Sequence, residues 1–194
     1  MSEHTVTIVD IGVSLEDAPT TAARMLAWLQ AEDIVGDGIS AGEIHREWLA
    51  SVGGDTNSEL AKDPKIVHRP GPNYRTACAD GAHLETLTKN WLEIDIERQV
   101  FHAGENGYSA SCPSCQTEHG TWLQTAGDWY GGAEGLLVCE DCGYAAPLNQ
   151  WRFDPMWAFG NLGFRFCDWL LEPAFVAEFT RRLGSECRIV YTHL

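Results

Sequence analysis

The spacing of apolar and polar residues changes period several times along the chain. Thr5 to Val13 is rich in β-branched residues and predicts a strand. Beyond Asp17 and Pro19, Ala22, Met25, Leu26 and Leu29 recur at helical spacing. Ser40-Ala-Gly-Glu43 has the form of a capping box. It opens a second helix with Ile44, Trp48 and Leu49 on one face, and Gly53-Gly54 ends it. Pro64, Pro70, Gly71 and Pro72 mark Asp55 to Asp80 as mostly loop. Trp91-Leu-Glu-Ile-Asp-Ile-Glu97 alternates at period two, which predicts a strand. Val100 to His102 continues extended, and Gly104-Glu-Asn-Gly107 turns. Asn161 to Trp169 reads as extended and aromatic. Pro173 then opens a helix whose apolar face holds Phe175, Val176, Phe179 and Leu183. Gly184 suits the position just past that helix, and Cys187 to His193 forms a last strand.

This order predicts an α+β fold. Without the second helix and the segment 108–150, it is the β-α-β-β-α-β pattern of ferredoxin-like folds. The expected organisation is one discontinuous α/β core, 1–107 with 151–194, carrying an inserted ribbon at 108–150.

The ribbon is expected from four cysteines. Cys112-Pro-Ser-Cys115 and Cys139-Glu-Asp-Cys142 are two Cys-x-x-Cys turns, and Gly143 follows the second. Two such turns supply four thiolates, which fill a tetrahedral Zn²⁺ and leave no place for a reacting water, so the expected ion is structural. A disulfide or redox pair is the competing reading. No secretory leader is read at Met1-Ser-Glu-His4 and no helix starts at either pair, which disfavours it. His119 lies between the pairs without ligand spacing. Cys167 and Cys187 sit in apolar runs, as buried thiols do, and Cys78 has no assignable partner.

Charge narrows the choice of partners. Asp plus Glu number 28 and Lys plus Arg 13, a net −15. No Lys or Arg falls between Arg98 and Arg152, whereas Glu105, Glu118, Asp128, Glu134, Glu140 and Asp141 do. A ribbon that grips nucleic acid needs cations for the phosphates, so that role is excluded, as is an anionic membrane surface. No run of apolar residues reaches membrane-spanning length, and the expected location is cytoplasmic.

Other candidates each carry an ordinary alternative. Arg69-Pro-Gly-Pro-Asn-Tyr74 is a stiff loop offering Arg69, Asn73 and Tyr74 to a ligand; prolines also stiffen loops that bind nothing. His102 and Glu105 bring an acid/base pair beside two glycines, or are plain turn chemistry. Glu93, Asp95 and Glu97 share one strand face, suited to Mg²⁺ or Ca²⁺ or to water. Trp157 and Phe159 belong to a dense aromatic run and are expected either in the core or as anchors of a protein-binding patch.

Arg69–Tyr74, Val100-Phe-His-Ala-Gly-Glu-Asn-Gly107, the cysteine pairs and Phe153-Asp-Pro-Met-Trp-Ala-Phe-Gly-Asn-Leu-Gly-Phe164 together resemble an uncharacterised bacterial family whose members often bear the label "sugar ABC transporter ATPase". The resemblance implies no established activity, and only the four cysteines carry over. An ATPase of that kind needs Gly-x-x-x-x-Gly-Lys-Ser/Thr. The lysines here are Lys62, Lys65 and Lys89, and none follows a glycine. The leading expectation is a non-enzymatic, zinc-stapled acidic protein that binds a protein with a basic surface, in the manner of an inhibitor or immunity protein. The alternative is an enzyme or small-molecule binder with its pocket between the His68–Tyr74 loop and the His102–Glu105 turn.

Overall fold

The computed structural model describes residues 4–79, 84, 90–104 and 108–193, so Glu105 and the rest of its turn lie outside the described residues. Helices and strands are mixed and the strands pair antiparallel, which places the chain in the α+β class. The main sheet is built from β1 (His4–Asp10), β2 (Val35–Ser40), β3 (Ile66–Pro70), β4 (Trp91–Asp95), β11 (Leu162–Cys167) and β12 (Cys187–His193). Its order is β12-β1-β11-β4-β3-β2.

Alternation along the strands sorts their side chains onto two faces. Ile8, Leu92, Phe164 and Phe166 point to one side and meet α1 (Ala18–Ala31) and α4 (Pro173–Leu183), through Ala22, Met25 and Leu29 and through Phe175, Phe179 and Leu183. Burying side chains of this size contributes about 1.5–3 kcal/mol each. Register sets these contacts: Ile8 lies opposite Phe164, and Leu92 opposite Phe166.

The opposite face is covered in two places. At one end α2 (Ala41–Val52) packs Ala41 and Ile44 against Val67 and Trp91. At the other, a separate two-stranded sheet of β5 (Gln99–His102) and β10 (Trp157–Gly160) sets Phe101 and Ala158 against Val9 and Val190. Gly163 permits this approach, because a Cβ there would lie 2.4 Å from the Phe101 ring.

Local signals were mostly legible. Ser40 accepts a hydrogen bond from the Glu43 amide at 3.1 Å, and Gly53 and Gly184 both end their helices in the left-handed conformation. One expectation needs correction. Part of the Asp55–Asp80 loop is a strand, β3, which pairs antiparallel with β2 across α2 and widens the sheet. Val100 to His102 is extended as expected, and it pairs with β10 in a separate sheet.

A second apolar cluster surrounds the cysteines. It joins Ala110, Cys112, Trp122, Ala126, Leu137, Cys139, Ala146 and Leu148 to Trp151, Phe153, Trp157 and Phe159. Its frame is β6 (Ser109–Ser111) paired with β9 (Arg152–Asp154), α3 (Trp122–Tyr130), and the hairpin of β7 (Leu136–Val138) with β8 (Ala145–Pro147).

Candidate metal centre and neighbouring sites

The two cysteine turns have the same backbone. The Cys112 amide donates to the Thr117 carbonyl at 2.9 Å, and the Gln116 amide donates back to the Cys112 carbonyl at 2.9 Å. In the second turn the Cys139 amide donates to the Tyr144 carbonyl at 2.8 Å, and the Gly143 amide to the Cys139 carbonyl at 2.9 Å. Each turn closes through a left-handed residue directly after its second cysteine: Gln116 at φ 65° and Gly143 at φ 73°. Gly143 is unstrained there, whereas Gln116 carries a Cβ into a conformation that disfavours one.

The turns face each other and bring all four sulfurs within 4.8 Å of one another. Cys112 Sγ lies 3.7 Å from Cys142 Sγ, and Cys115 Sγ lies 3.6 Å from Cys139 Sγ. Four sulfurs at about 2.3 Å from one tetrahedral ion stand about 3.8 Å apart, so the spacing fits a single metal. The four cysteines are positioned to bind one metal ion. Each turn buries its first cysteine and exposes its second. The Thr117 hydroxyl and amide hold the Cys115 thiol down, at about 6. At Cys142 the Tyr144 amide pulls the same way, but desolvation and the neighbouring sulfurs outweigh it and push the thiol to about 11.

His119 is not a fifth ligand. Its Nε2 sits 2.9 Å from the Val138 carbonyl and its ring stands edge-on to Trp151, so it braces β7 from the side. The three outlying thiols are held in their inert form. Burial pushes Cys78 and Cys187 to about 11, and burial reinforced by the Glu93 carboxylate pushes Cys167 to about 12.

No family model, curated protein or solved structure matches the chain.

Geometry separates the other candidates. Trp157 is 8 % exposed and Phe159 1 %, both inside the cysteine-side cluster, so the expectation that they anchor a partner is corrected: they are core. They are buried because β10 is sandwiched, with Trp122 edge-on to Trp157 at 4.8 Å and Trp129 edge-on to Phe159 at 5.4 Å. His102 stacks on Trp157 at 4.6 Å and 18°, and its Nδ1 accepts the Gly104 amide at 3.0 Å. Partial desolvation, helped by the Arg165 guanidinium, lowers its pKa below the ordinary 6.5.

Glu93 and Asp95 of β4 are paired with cations. Lys65 pairs with Glu93 and reaches Asp95 at 3.1 Å; Arg165 reaches Asp95 at 3.0 Å and Glu93 at 3.4 Å. Burial alone would lower both cations' pKa values, but the two carboxylates outweigh it and raise them. Glu97 lies beyond the strand and is exposed.

Arg69, Asn73 and Tyr74 are tied into the fold. Arg69 pairs with Glu47, Asn73 donates to the Glu32 carbonyl at 3.1 Å, and Tyr74 is buried beside Trp169. Arg69 and Tyr74 still line a cavity of about 610 Å³ with Ile44, Glu47, Trp48 and Leu84. His102 is not in its wall, because it lies on β5 against Trp157. Among the described residues this cavity lies between α2 and the 69–74 segment, and Glu105, on the other side of the expected pocket, lies outside them.

Two structural residues had no sequence signal. Arg98 lies over the Trp129 ring at 4.1 Å and donates to the carbonyls of Trp129 and Ala133, closing the C-terminal end of α3. Asn149 uses its side-chain amide as a strand would: Nδ2 donates to the Phe159 carbonyl at 2.7 Å and Oδ1 accepts the Phe159 amide at 3.0 Å.

Proposed function

We propose that this is a non-enzymatic, Zn²⁺-stapled protein that binds a protein with a basic surface through its acidic ribbon. The observation that carries the reading is the ribbon's outer charge. Glu118, Asp128, Glu134, Glu140 and Asp141 are all exposed, and among the described residues none pairs with a Lys or Arg. Such a surface raises the encounter rate with a cationic partner and repels nucleic acid. Among the described residues no helix is long and apolar enough to cross a membrane.

Zn²⁺ is the ion we assign. An all-sulfur tetrahedron suits it, and four protein ligands close the site to substrate. We further read β1, α1, β4, β11, α4 and β12 as a ferredoxin-like core, a reading supported by the order β12-β1-β11-β4, with β2, α2 and β3 inserted beside it. Elemental analysis of protein purified without added metal is expected to give about one zinc per chain; iron in that proportion would overturn the assignment. Affinity capture from the host is expected to recover a basic protein whose association slows between low and moderate salt. Association that ignores salt and the Glu134→Gln/Glu140→Gln/Asp141→Asn variant would sink the partner reading.

A second reading, small-molecule binding, rests on the cavity beside Arg69 and Tyr74, whose size suits a ligand. A thermal shift on adding a small aromatic acid, lost in Trp48→Ala, would favour it.

A further inference from the structure

The β7–β8 hairpin shows an unusual alternation. Leu137 and Ala146, directly opposite each other, point inward and are 3 % exposed. The two pairs flanking them, Leu136 with Pro147 and Val138 with Ala145, point outward, and all four residues are exposed. The outer face of an antiparallel pair is normally polar. Here it is wholly apolar, with Leu136 at 53 % and Val138 at 49 % exposure, and it is flanked along the chain by Glu134, Glu140 and Asp141. The face is also held rigid. One end is closed by the second cysteine turn, the other by the Leu148 amide donating to the Gly135 carbonyl at 3.1 Å.

Strand addition is disfavoured on both edges. Hydrogen bonds join 139 to 144 and 135 to 148, so the main-chain groups of 136, 138, 145 and 147 point away from the hairpin. On β7 the Val138 carbonyl is occupied by His119, and on β8 Pro147 has no amide to offer. What remains is side-chain contact across the face. A second copy of the chain would bring Glu134, Glu140 and Asp141 against their own kind in a molecule of net charge −15. Charge complementarity selects a cationic occupant instead.

We infer that the outer face of the β7–β8 hairpin docks a basic protein segment that sets apolar side chains between lysines or arginines. The inference rests on the protein-binding reading and names the surface and the chemistry of what it takes. The apolar side chains cover Leu136, Val138, Ala145 and Pro147, and the cations meet the three carboxylates.

The test uses the full, metal-loaded chain and two short synthetic peptides: leucines placed between lysines, and the same peptide with serines for the leucines. The leucine peptide is expected to bind about tenfold more tightly, the worth of one or two partly buried side chains. The variant Leu136→Ser/Val138→Ser should erase that preference without changing metal content, since both residues are exposed. Leu15→Ser, an exposed leucine outside the ribbon, should keep it. Salt-sensitive binding of both peptides with no preference, or a preference that survives the double variant, overturns the docking face and leaves the basic-partner reading standing. Absence of salt-sensitive binding by either peptide counts against the basic-partner reading itself. Concentration-dependent dimerisation that disappears in the double variant overturns the inference in favour of self-association.

Discussion

Gln116 and Gly143 occupy the same position of the same turn, yet only one is a glycine. The left-handed conformation costs a residue with a Cβ about 1–2 kcal/mol. Gln116→Gly is therefore expected to stabilise the ribbon by about 1 kcal/mol and Gly143→Ala to destabilise it by a similar amount, read as opposite changes in amide exchange over 109–150. His102 supplies a pH dependence. Its folded pKa is lowered, so below about 6.5 the unfolded chain binds the extra proton first. Its contribution is complete above the ordinary value and is lost as pH falls through the folded one. His102→Phe keeps a ring on Trp157 and takes no proton. Thermal melts at pH 7.5 and 5.5 should show a smaller acid loss in this variant than in the wild type; equal losses would remove His102 from the account.

At the scale of elements, the segment around the four cysteines is expected to depend on a bound metal in a way the main sheet does not. Three-residue strands such as β6, β7, β8 and β9 bury little on their own, and their apolar cluster is built around Cys112 and Cys139, so a metal held there would tie the short strands together. Chelation, or Cys112→Ser, is expected to speed amide exchange across 109–150 by orders of magnitude while β1 stays protected. Exchange that rises equally in β1 would show one cooperative unit instead. Trp151, Phe153, Trp157 and Phe159 pack with the cysteine-side cluster, so loosening should spread into β9 and β10.

For the whole molecule, the join between the two sheets rests on a few residues. Phe101 lies over Gly163, with Val9, Ala158 and Val190 around it. Phe101→Ala removes the ring that fills this space and is expected to cost about 3–5 kcal/mol, measured by denaturant unfolding. Gly163→Ala should also destabilise, because its Cβ would collide with the ring. A loss under 1 kcal/mol in both variants would mean that the sheets are held together elsewhere.

What the sequence determined by itself was whatever neighbouring residues decide between them: the two cysteine turns, the Ser40 cap, the ends at Gly53 and Gly184, and the alternation of β4. Each is set within a few positions along the chain, by turn chemistry, by a cap or by a period of two. Strands β2 and β3 were illegible because Gly36, Gly38 and Pro70 favour no strand; pairing across the sheet makes them strands. Likewise, β4's carboxylates show one face in sequence, but only folding brings up Lys65 from one side and Arg165 from the other. The aromatic run gave no sign of which rings would be covered, since burial of Trp157 and Phe159 depends on Trp122 and Trp129 arriving from α3. The acidic surface was written in the composition, but its apolar centre at Leu136 and Val138 exists only because the hairpin turns those two residues outward while Leu137 faces in.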